Sequence, residues 1–325
     1  MSALRTAPLP RMAGDLTFMR AKRATLDDLC ADSLAVIGIP FERNTIAASG
    51  CRFGPRALRE TSVYFGWHVN AQFSHPVDID ARKQISTSSI HDRLVDLGDV
   101  TILGQSPSRA NTVIQSAIGK IHALGASTII LGGDDSVVAP AATAHEGSLG
   151  LLQFGGTLPS ADGTETPLGQ LLASKRLRPS NAVVVAPARN PETNFADGFE
   201  GAGGRLLGAP NFKRLPTAEL AGLACDLGSS VDTLLVHFDI SIFSASLHGM
   251  TEMPRFGGLT IRDMQPALTA IGQAPVSSLM VTGLNPTKNG LSVVKVGQRL
   301  IMTALLGYIY GRLSLLSSLQ REDTG

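Results

Sequence analysis

The chain has 325 residues, of which 43% are hydrophobic and 17% are charged. These values are typical of a folded globular protein and exclude a largely disordered one. The 28 lysines and arginines nearly balance the 27 aspartates and glutamates, so the net charge is +1. The chain therefore has no basic excess for binding nucleic acid or an anionic membrane surface.

The cysteines and the apolar segments favour a cytoplasmic protein without a membrane span. Cys30, Cys51 and Cys225 are odd in number and form no C-x-x-C motif, which argues against a disulfide framework and a zinc knuckle. The N-terminus lacks the apolar core of a secretory signal. The most apolar late stretch, residues 300–310, is shorter than the roughly 20 residues of a membrane helix. We interpret it as a buried C-terminal helix.

The first predicted strand, residues 34–41, leads to a predicted helix that begins within residues 50–60, G-C-R-F-G-P-R-A-L-R-E. Pro55 can occupy the first turn of that helix, where its missing N–H costs nothing. The arginines of this segment form either an anion site at the helix N-terminus or structural ion pairs with carboxylates, and we favour ion pairs. They are Arg52, Arg56 and Arg59.

Strands and helices then alternate to the end of the chain. Residues 95–100 form a predicted strand and turn in which Asp96 and Asp99 are expected to accept backbone hydrogen bonds. Residues 111–124 have apolar side chains at helical spacing and end at Gly125, a plausible helix cap. Residues 128–131, T-I-I-L, form a predicted buried strand. This alternation predicts one doubly wound α/β domain.

Four motifs resemble those of the ureohydrolases, the family of the arginases and agmatinases. They are G-I-P-F, R-F-G-P-R-A-L-R-E, D-L-G-D-V and G-G-D-D-S. The resemblance covers residues 31–310 and implies an arginase-like domain at 31–325, with a mostly parallel sheet and helices on both faces. It also implies that the extension at 1–30 contacts a neighbouring subunit. From the sequence alone, a frayed tail is equally consistent with its prolines, charges and weak periodicity.

The resemblance further implies where the family holds two divalent metal ions. Six ligands, mostly carboxylates with two histidines, come from the motifs G-G-D-H-S, F-D-A-H-x-D and S-x-D-x-D. A glutamate that contacts the substrate guanidinium falls here on Gly283. The six ligand positions carry Asp135, Gly155, Thr157, Pro159, Asp239 and Ser241.

Of these six positions, Asp239 alone keeps the family residue. Glycine and proline offer no side-chain donor, and a lone threonine hydroxyl is a poor ligand for a transition metal. The losses are consistent with one another, because a ring of buried carboxylates without metal ions would suffer strong repulsion. We therefore predict that this chain holds no metal and has no catalytic residue.

The leading hypothesis is a non-catalytic subunit that completes a hetero-oligomer, expected to be a hexamer, with an active ureohydrolase paralogue. The partner would carry nickel or manganese and hydrolyse a guanidino or biguanide compound. Chains of this type resemble the metal-less subunits of heteromeric ureohydrolases of the metformin hydrolase type, which makes metformin a candidate substrate of the complex.

Two other hypotheses remain open. The first is a stand-alone binding or regulatory protein that keeps a guanidine-shaped pocket. The second is a divergent hydrolase, either metal-independent or using one Mg²⁺ held with waters by Asp135 and Asp239.

His237 and Asp239 lie two residues apart on a predicted strand, so they share a face, and we interpret His237 as a packed or capping residue. The other candidate nucleophiles and bases show no recognisable spacing. They are Cys51, His68, His75, His145 and His248.

Overall fold

A nine-stranded parallel sheet forms the centre of the computed structural model, which describes residues 14–43, 49–68, 77–78, 83–84, 93–102, 104, 106–160, 163–187, 193–244, 258–287 and 291–322. The strand order is β1-β5-β2-β6-β11-β10-β7-β8-β9, and β3 and β4 form a separate antiparallel pair. The strands are β1 Lys22–Arg23, β2 Leu34–Ile39, β3 Val77–Asp78, β4 Lys83–Gln84, β5 Leu94–Asp99, β6 Ser127–Gly132, β7 Leu149–Phe154, β8 Ala182–Val185, β9 Arg205–Leu207, β10 Thr233–Asp239 and β11 Val276–Thr282.

Helices cover both faces of this sheet, and successive strand residues contribute to opposite cores. In β10, Leu234 and Val236 belong to one apolar cluster and Leu235 to the other. The prediction of a doubly wound α/β domain is confirmed. The α-helices are α1 Gly54–Ser62, α2 Pro107–Ala123, α3 Val138–Thr143, α4 Pro167–Ala173, α5 Thr193–Gly201, α6 Ala209–Arg214, α7 Thr217–Ser229, α8 Ile261–Gly272 and α9 Leu291–Glu322.

The predicted helix boundaries agree with the local chemistry. Pro55 lies in the first turn of α1, as predicted. Helix α2 begins four residues before the predicted start, because the Ser106 hydroxyl accepts a bond from the backbone N–H of Arg109 and caps the helix N-terminus. Gly125 follows the helix with a φ of 78°, a left-handed conformation that suits glycine at a helix end.

Helix α9 contains the stretch that the sequence identified as a buried helix. Its residues Ile301, Leu305 and Ile309 are almost completely inaccessible to solvent, because the helix packs on α8. The two backbones approach so closely that a β-carbon on Gly311 would lie 2.1 Å from the carbonyl oxygen of Thr269. Across the part of the chain that the structure describes, no helix combines the length and the apolar character needed to cross a membrane.

The described part of the N-terminal extension packs on its own chain. Strand β1 pairs with β5, Phe18 and Met19 are buried, and the backbone N–H of Phe18 donates to the Asp96 carboxylate over 2.6 Å. Residues 1–13 lie outside the described residues, and a contact between this extension and another subunit stays a prediction.

The three arginines near α1 form ion pairs, as the favoured interpretation predicted. Arg59 is buried and binds both carboxylate oxygens of Asp96, at 2.8 and 3.0 Å. Arg52 pairs with Glu42, and Arg56 pairs with Glu60.

The two aspartates of the predicted turn after β5 differ in their partners. Asp96 accepts backbone hydrogen bonds from Phe18 and Gly98, as expected. The Asp99 carboxylate accepts from the Arg59 guanidinium, and a backbone hydrogen bond to Asp99 stays a prediction.

Candidate functional site at the carboxyl ends of four strands

The predicted site positions lie at the carboxyl ends of β6, β11, β10 and β7, which are neighbours in the sheet in that order. Asp135 follows β6, Gly283 follows β11, Asp239 ends β10 and Gly155 follows β7. The fold therefore brings these positions together at the edge where ligand sites of open α/β sheets lie. Thr157 and Pro159 are farther along the segment after β7, where Thr157 is half-buried and Pro159 is buried.

The Asp239 carboxylate is buried and held by hydrogen bonds from within the chain. Its Oδ1 accepts from the backbone N–H of Ser241 over 2.7 Å, and its Oδ2 accepts from the Thr282 hydroxyl over 3.4 Å. Burial raises the pKa of Asp239, and the nearby Asp134 carboxylate raises it further, while the bonds from Ser241 and Thr282 oppose the shift. Both carboxylate oxygens of Asp239 thus accept hydrogen bonds from groups of the same chain.

Asp134 is a second buried carboxylate at this edge, and sequence reasoning did not assign it a role. Its side chain accepts from the backbone N–H of Ser136 over 3.1 Å and from that of Arg43 over 2.7 Å. It thereby caps the short turn Asp135–Val137 and holds the segment after β2 against the end of β6. The signal in the sequence was the aspartate two residues before a serine, a pattern typical of such side chain–backbone turns.

The conformation of the turn after β7 requires glycine at position 155, one of the predicted ligand positions. Gly155 and Gly156 have φ values of 73° and 69°, in a region that side chains rarely adopt. A β-carbon on Gly155 would also lie 2.9 Å from the carbonyl oxygen of Asp239 and 2.9 Å from the amide nitrogen of Ile242. The backbone of this turn lies directly against the end of β10, so a ligand side chain has no room at position 155.

Ser241 and Gly283 complete this close packing. The Ser241 hydroxyl accepts from the backbone N–H of Gly156 over 3.2 Å. Gly283 has a φ of 83°, and a β-carbon there would lie 3.1 Å from Asp239 Oδ1. The backbone conformation and the close approach of Asp239 thus favour glycine at position 283, the predicted substrate position.

His237 lies behind Asp239 on the same face of β10, as predicted. Its Nε2 is 2.7 Å from the Thr282 hydroxyl, whereas its Nδ1 is buried without a partner among the described residues. Burial lowers the pKa of His237 to about 3, so the imidazole is neutral near pH 7. Gln153, opposite His237 in β7, donates its amide to the carbonyl of Gly155. These contacts agree with a packed histidine.

The donor set at this edge does not fit two divalent ions. Such a centre needs about six ligands, mostly carboxylates and imidazoles, and the described residues contain no group of three or more His, Cys, Asp or Glu that could hold a metal ion. Cys51 is buried and begins the turn before α1. His75 and His248 lie outside the described residues.

Comparisons with known proteins agree with this fold. Residues 32–307 match the Arginase family. The chain is 26% identical over 230 residues to an agmatinase of Cronobacter sakazakii, covering 69% of this chain and 70% of the relative. It is 26% identical over 271 residues to a guanidinopropionase of Pseudomonas aeruginosa, covering 79% and 80%.

Solved structures with the same fold include the proclavaminate amidino hydrolase of Streptomyces clavuligerus, with a TM-score of 0.73 and 24% identity over 94% of this chain and 100% of that one. They also include the formimidoylglutamase of Bacillus subtilis, with a TM-score of 0.76 and 18% identity over 95% of each chain.

Proposed function

Because the chain belongs to the arginase family, we propose that it is a metal-free, non-catalytic ureohydrolase subunit that assembles with an active, metal-bearing paralogue. The relatives include an agmatinase and a guanidinopropionase, whose names point to substrates with a guanidino group. The chemistry of the complex is then hydrolysis of a guanidino or biguanide compound at the partner's site, with metformin as the narrowest candidate substrate.

The contrast between framework and site carries this proposal. The nine-stranded sheet is complete, and the ion pairs that join α1 to β5 are in place. At the carboxyl edge of the same sheet, positions 155 and 283 are glycines with positive φ and close contacts that disfavour a side chain. A chain that keeps its scaffold while glycine and proline occupy ligand positions 155 and 159 is better suited to assembly than to chemistry.

The remaining donors support the same conclusion. Asp239 and Asp134 are both occupied by hydrogen bonds from nearby backbone amides. The Ser241 hydroxyl accepts from the amide of Gly156. Internal hydrogen bonds thus take the place that metal coordination has in an active member of the family, so we assign no reaction step to this chain. The metal, nickel or manganese, belongs to the partner.

Metal analysis of the separated chain and of the complex tests the proposal. After dialysis, the isolated chain is expected to contain no stoichiometric manganese or nickel and to show no turnover of agmatine, guanidinopropionate or metformin. The complex with the paralogue is expected to hold about two ions per catalytic subunit. Two ions bound per isolated chain would overturn the proposal.

The same experiment separates the two other hypotheses. Turnover by the isolated chain, with one ion or none, supports a divergent hydrolase. Saturable binding of a guanidino compound to the isolated chain, together with no association with any paralogue, supports a stand-alone binding protein.

A further inference from the structure

Two histidines meet at the amino edge of the sheet, opposite the candidate site. His122 lies in the last turn of α2, and His145 follows α3. Their ring centroids are 4.0 Å apart with the planes inclined by 53°. His145 is 8% exposed. The contact joins the end of α2 to the segment that leaves α3, two elements that pack on the same face of the sheet.

Neutral hydrogen bonds anchor this pair to the sheet. His122 Nε2 is 3.0 Å from the hydroxyl of Ser278 in β11, and that hydroxyl is 2.6 Å from the hydroxyl of Thr128 in β6. His145 Nε2 is buried and has no partner among the described residues. The sheet therefore presents a hydroxyl group to His122, whereas the buried His145 Nε2 meets no acceptor for an added proton among the described residues.

The charged groups around the pair offer an added proton no compensation. The Arg176 guanidinium donates to the backbone carbonyls of His145 and Gly147, so a positive charge already lies beside His145. The Asp232 carboxylate accepts from the amide and hydroxyl of Ser148, which precedes β7. Lys120 on α2 and Glu146 in the segment after α3 are exposed. Among the described residues, neither imidazole forms an ion pair with a carboxylate.

We propose that the His122–His145 contact is an acid-sensitive latch, which holds the end of α2 and the segment after α3 on the sheet and releases them when the rings take up protons. The inference is independent of the function proposed above. A proton on either ring places a cation in a buried contact with the other ring, and for His145 also beside Arg176.

The sign of the pH dependence follows from the burial of the rings. Burial lowers the pKa of His122 to about 4, and burial, His122 and Arg176 together lower that of His145 to about 3. The released rings have the ordinary value of 6.5. The two rings therefore contribute their full stabilisation of the closed latch above pH 6.5, and that contribution is lost as the pH falls from 6.5 toward 4. Each ring changes the closing equilibrium by about tenfold per pH unit in that window, so at pH 5 the pair lowers it by about a thousandfold.

Hydrogen exchange of the full-length protein at pH 7.0 and pH 5.0 tests this latch. After correction for intrinsic rates, the amides of residues 119–125 and 144–148 are expected to lose protection by a factor of about a hundred to a thousand, while those of β10 change much less. In the double variant His122→Gln/His145→Leu, the protection of the same amides should change by less than about tenfold between the two pH values. Glu146→Gln, a neighbouring exposed carboxylate, is the matched control and should behave as the wild type does.

Two results would overturn the latch: uniform loss of protection across the sheet and helices, or an undiminished local loss in the double variant. Should the double variant not fold, His145→Leu alone decides the question. It removes one of the two titrating rings and the buried nitrogen without a partner. The factor by which local protection falls between pH 7 and pH 5 should then be about the square root of the wild-type factor. An unchanged factor contradicts the proposal.

Discussion

The Thr282 hydroxyl joins two buried groups at the end of β10. It lies 2.7 Å from His237 Nε2 and 3.4 Å from Asp239 Oδ2. A hydroxyl can donate one hydrogen bond and accept others, so Thr282 can accept from the histidine and donate to the carboxylate at once. The neutral imidazole thus belongs to a hydrogen-bond chain that satisfies the remaining aspartate.

Asp239→Asn separates a structural role from a catalytic one. Asparagine keeps the shape of the side chain and an oxygen for the Ser241 amide, and it removes the repulsion from Asp134. We expect the free energy of unfolding to change by less than about 2 kcal/mol. The turnover of the assembled complex should change by less than about twofold. If Asp239 were a metal ligand or a catalytic base, its loss would instead lower the turnover by orders of magnitude.

The control for this variant is the same substitution at the equivalent aspartate of the partner, which should abolish activity. Steady-state turnover and metal content are measured on complexes whose assembly has been verified. If Asp239→Asn alone silences a folded, assembled complex, the non-catalytic assignment is wrong.

At the scale of elements, the sequence predicts central strands better than edge strands. β6 was recognisable because the run T-I-I-L is apolar and ends at Gly132-Gly133. β1 and β9 were not assigned, because they are two and three residues long and contain Lys22, Arg23 and Arg205. Such short polar strands owe their conformation to the neighbour they pair with rather than to local propensity.

The candidate site shows the same division. The predicted carboxyl ends of the strands indicated which positions lie together, because parallel strands end at the same edge of a sheet. The partners of each side chain were beyond sequence reasoning, because they depend on packing between distant segments. Thr282 lies 43 residues from Asp239, and Arg43 lies 91 residues from Asp134. The contact of His122 with His145 likewise follows from the way α2 and α3 pack on the sheet.

The packing of α8 on α9 depends on glycines that allow two backbones to touch. A β-carbon on Gly311 would lie 2.1 Å from the carbonyl of Thr269, and one on Gly272 would lie 2.4 Å from that of Tyr308. We expect Gly311→Ala to lower the free energy of unfolding by about 1–3 kcal/mol, because the helices must separate to admit the methyl group.

Gly222→Ala is the matched control for this substitution. Gly222 lies inside α7, where an added β-carbon would meet nothing within 4 Å, so alanine should raise stability by about 0.5–1 kcal/mol through helix propensity. Urea unfolding of both variants measures the difference. Equal changes in the free energy of unfolding for the two variants would show that α8 and α9 leave room for a methyl group at position 311.

At the scale of the whole molecule, the proposed subunit role has to account for the presence of a full arginase-family scaffold. The match to the Arginase family spans residues 32–307, and the solved structures superpose over more than nine-tenths of the chain. A free-standing chain would need only a stable core, whereas a subunit must keep the whole surface that its neighbours contact. The proposed subunit role therefore predicts that the surface contacted by neighbouring subunits is kept along with the core.

Co-expression with a paralogue that carries all six ligands tests this assembly. We expect a mixed hexamer with metal only in the paralogue, because an inactive chain completes the oligomer without adding a site. Native mass spectrometry gives the stoichiometry, and metal analysis of the separated subunits locates the ions. Co-expression with a distantly related arginase is the control, which should yield no mixed species. A monodisperse monomer of this chain that associates with none of the co-expressed paralogues would contradict the subunit role, whatever the activity of the paralogue alone.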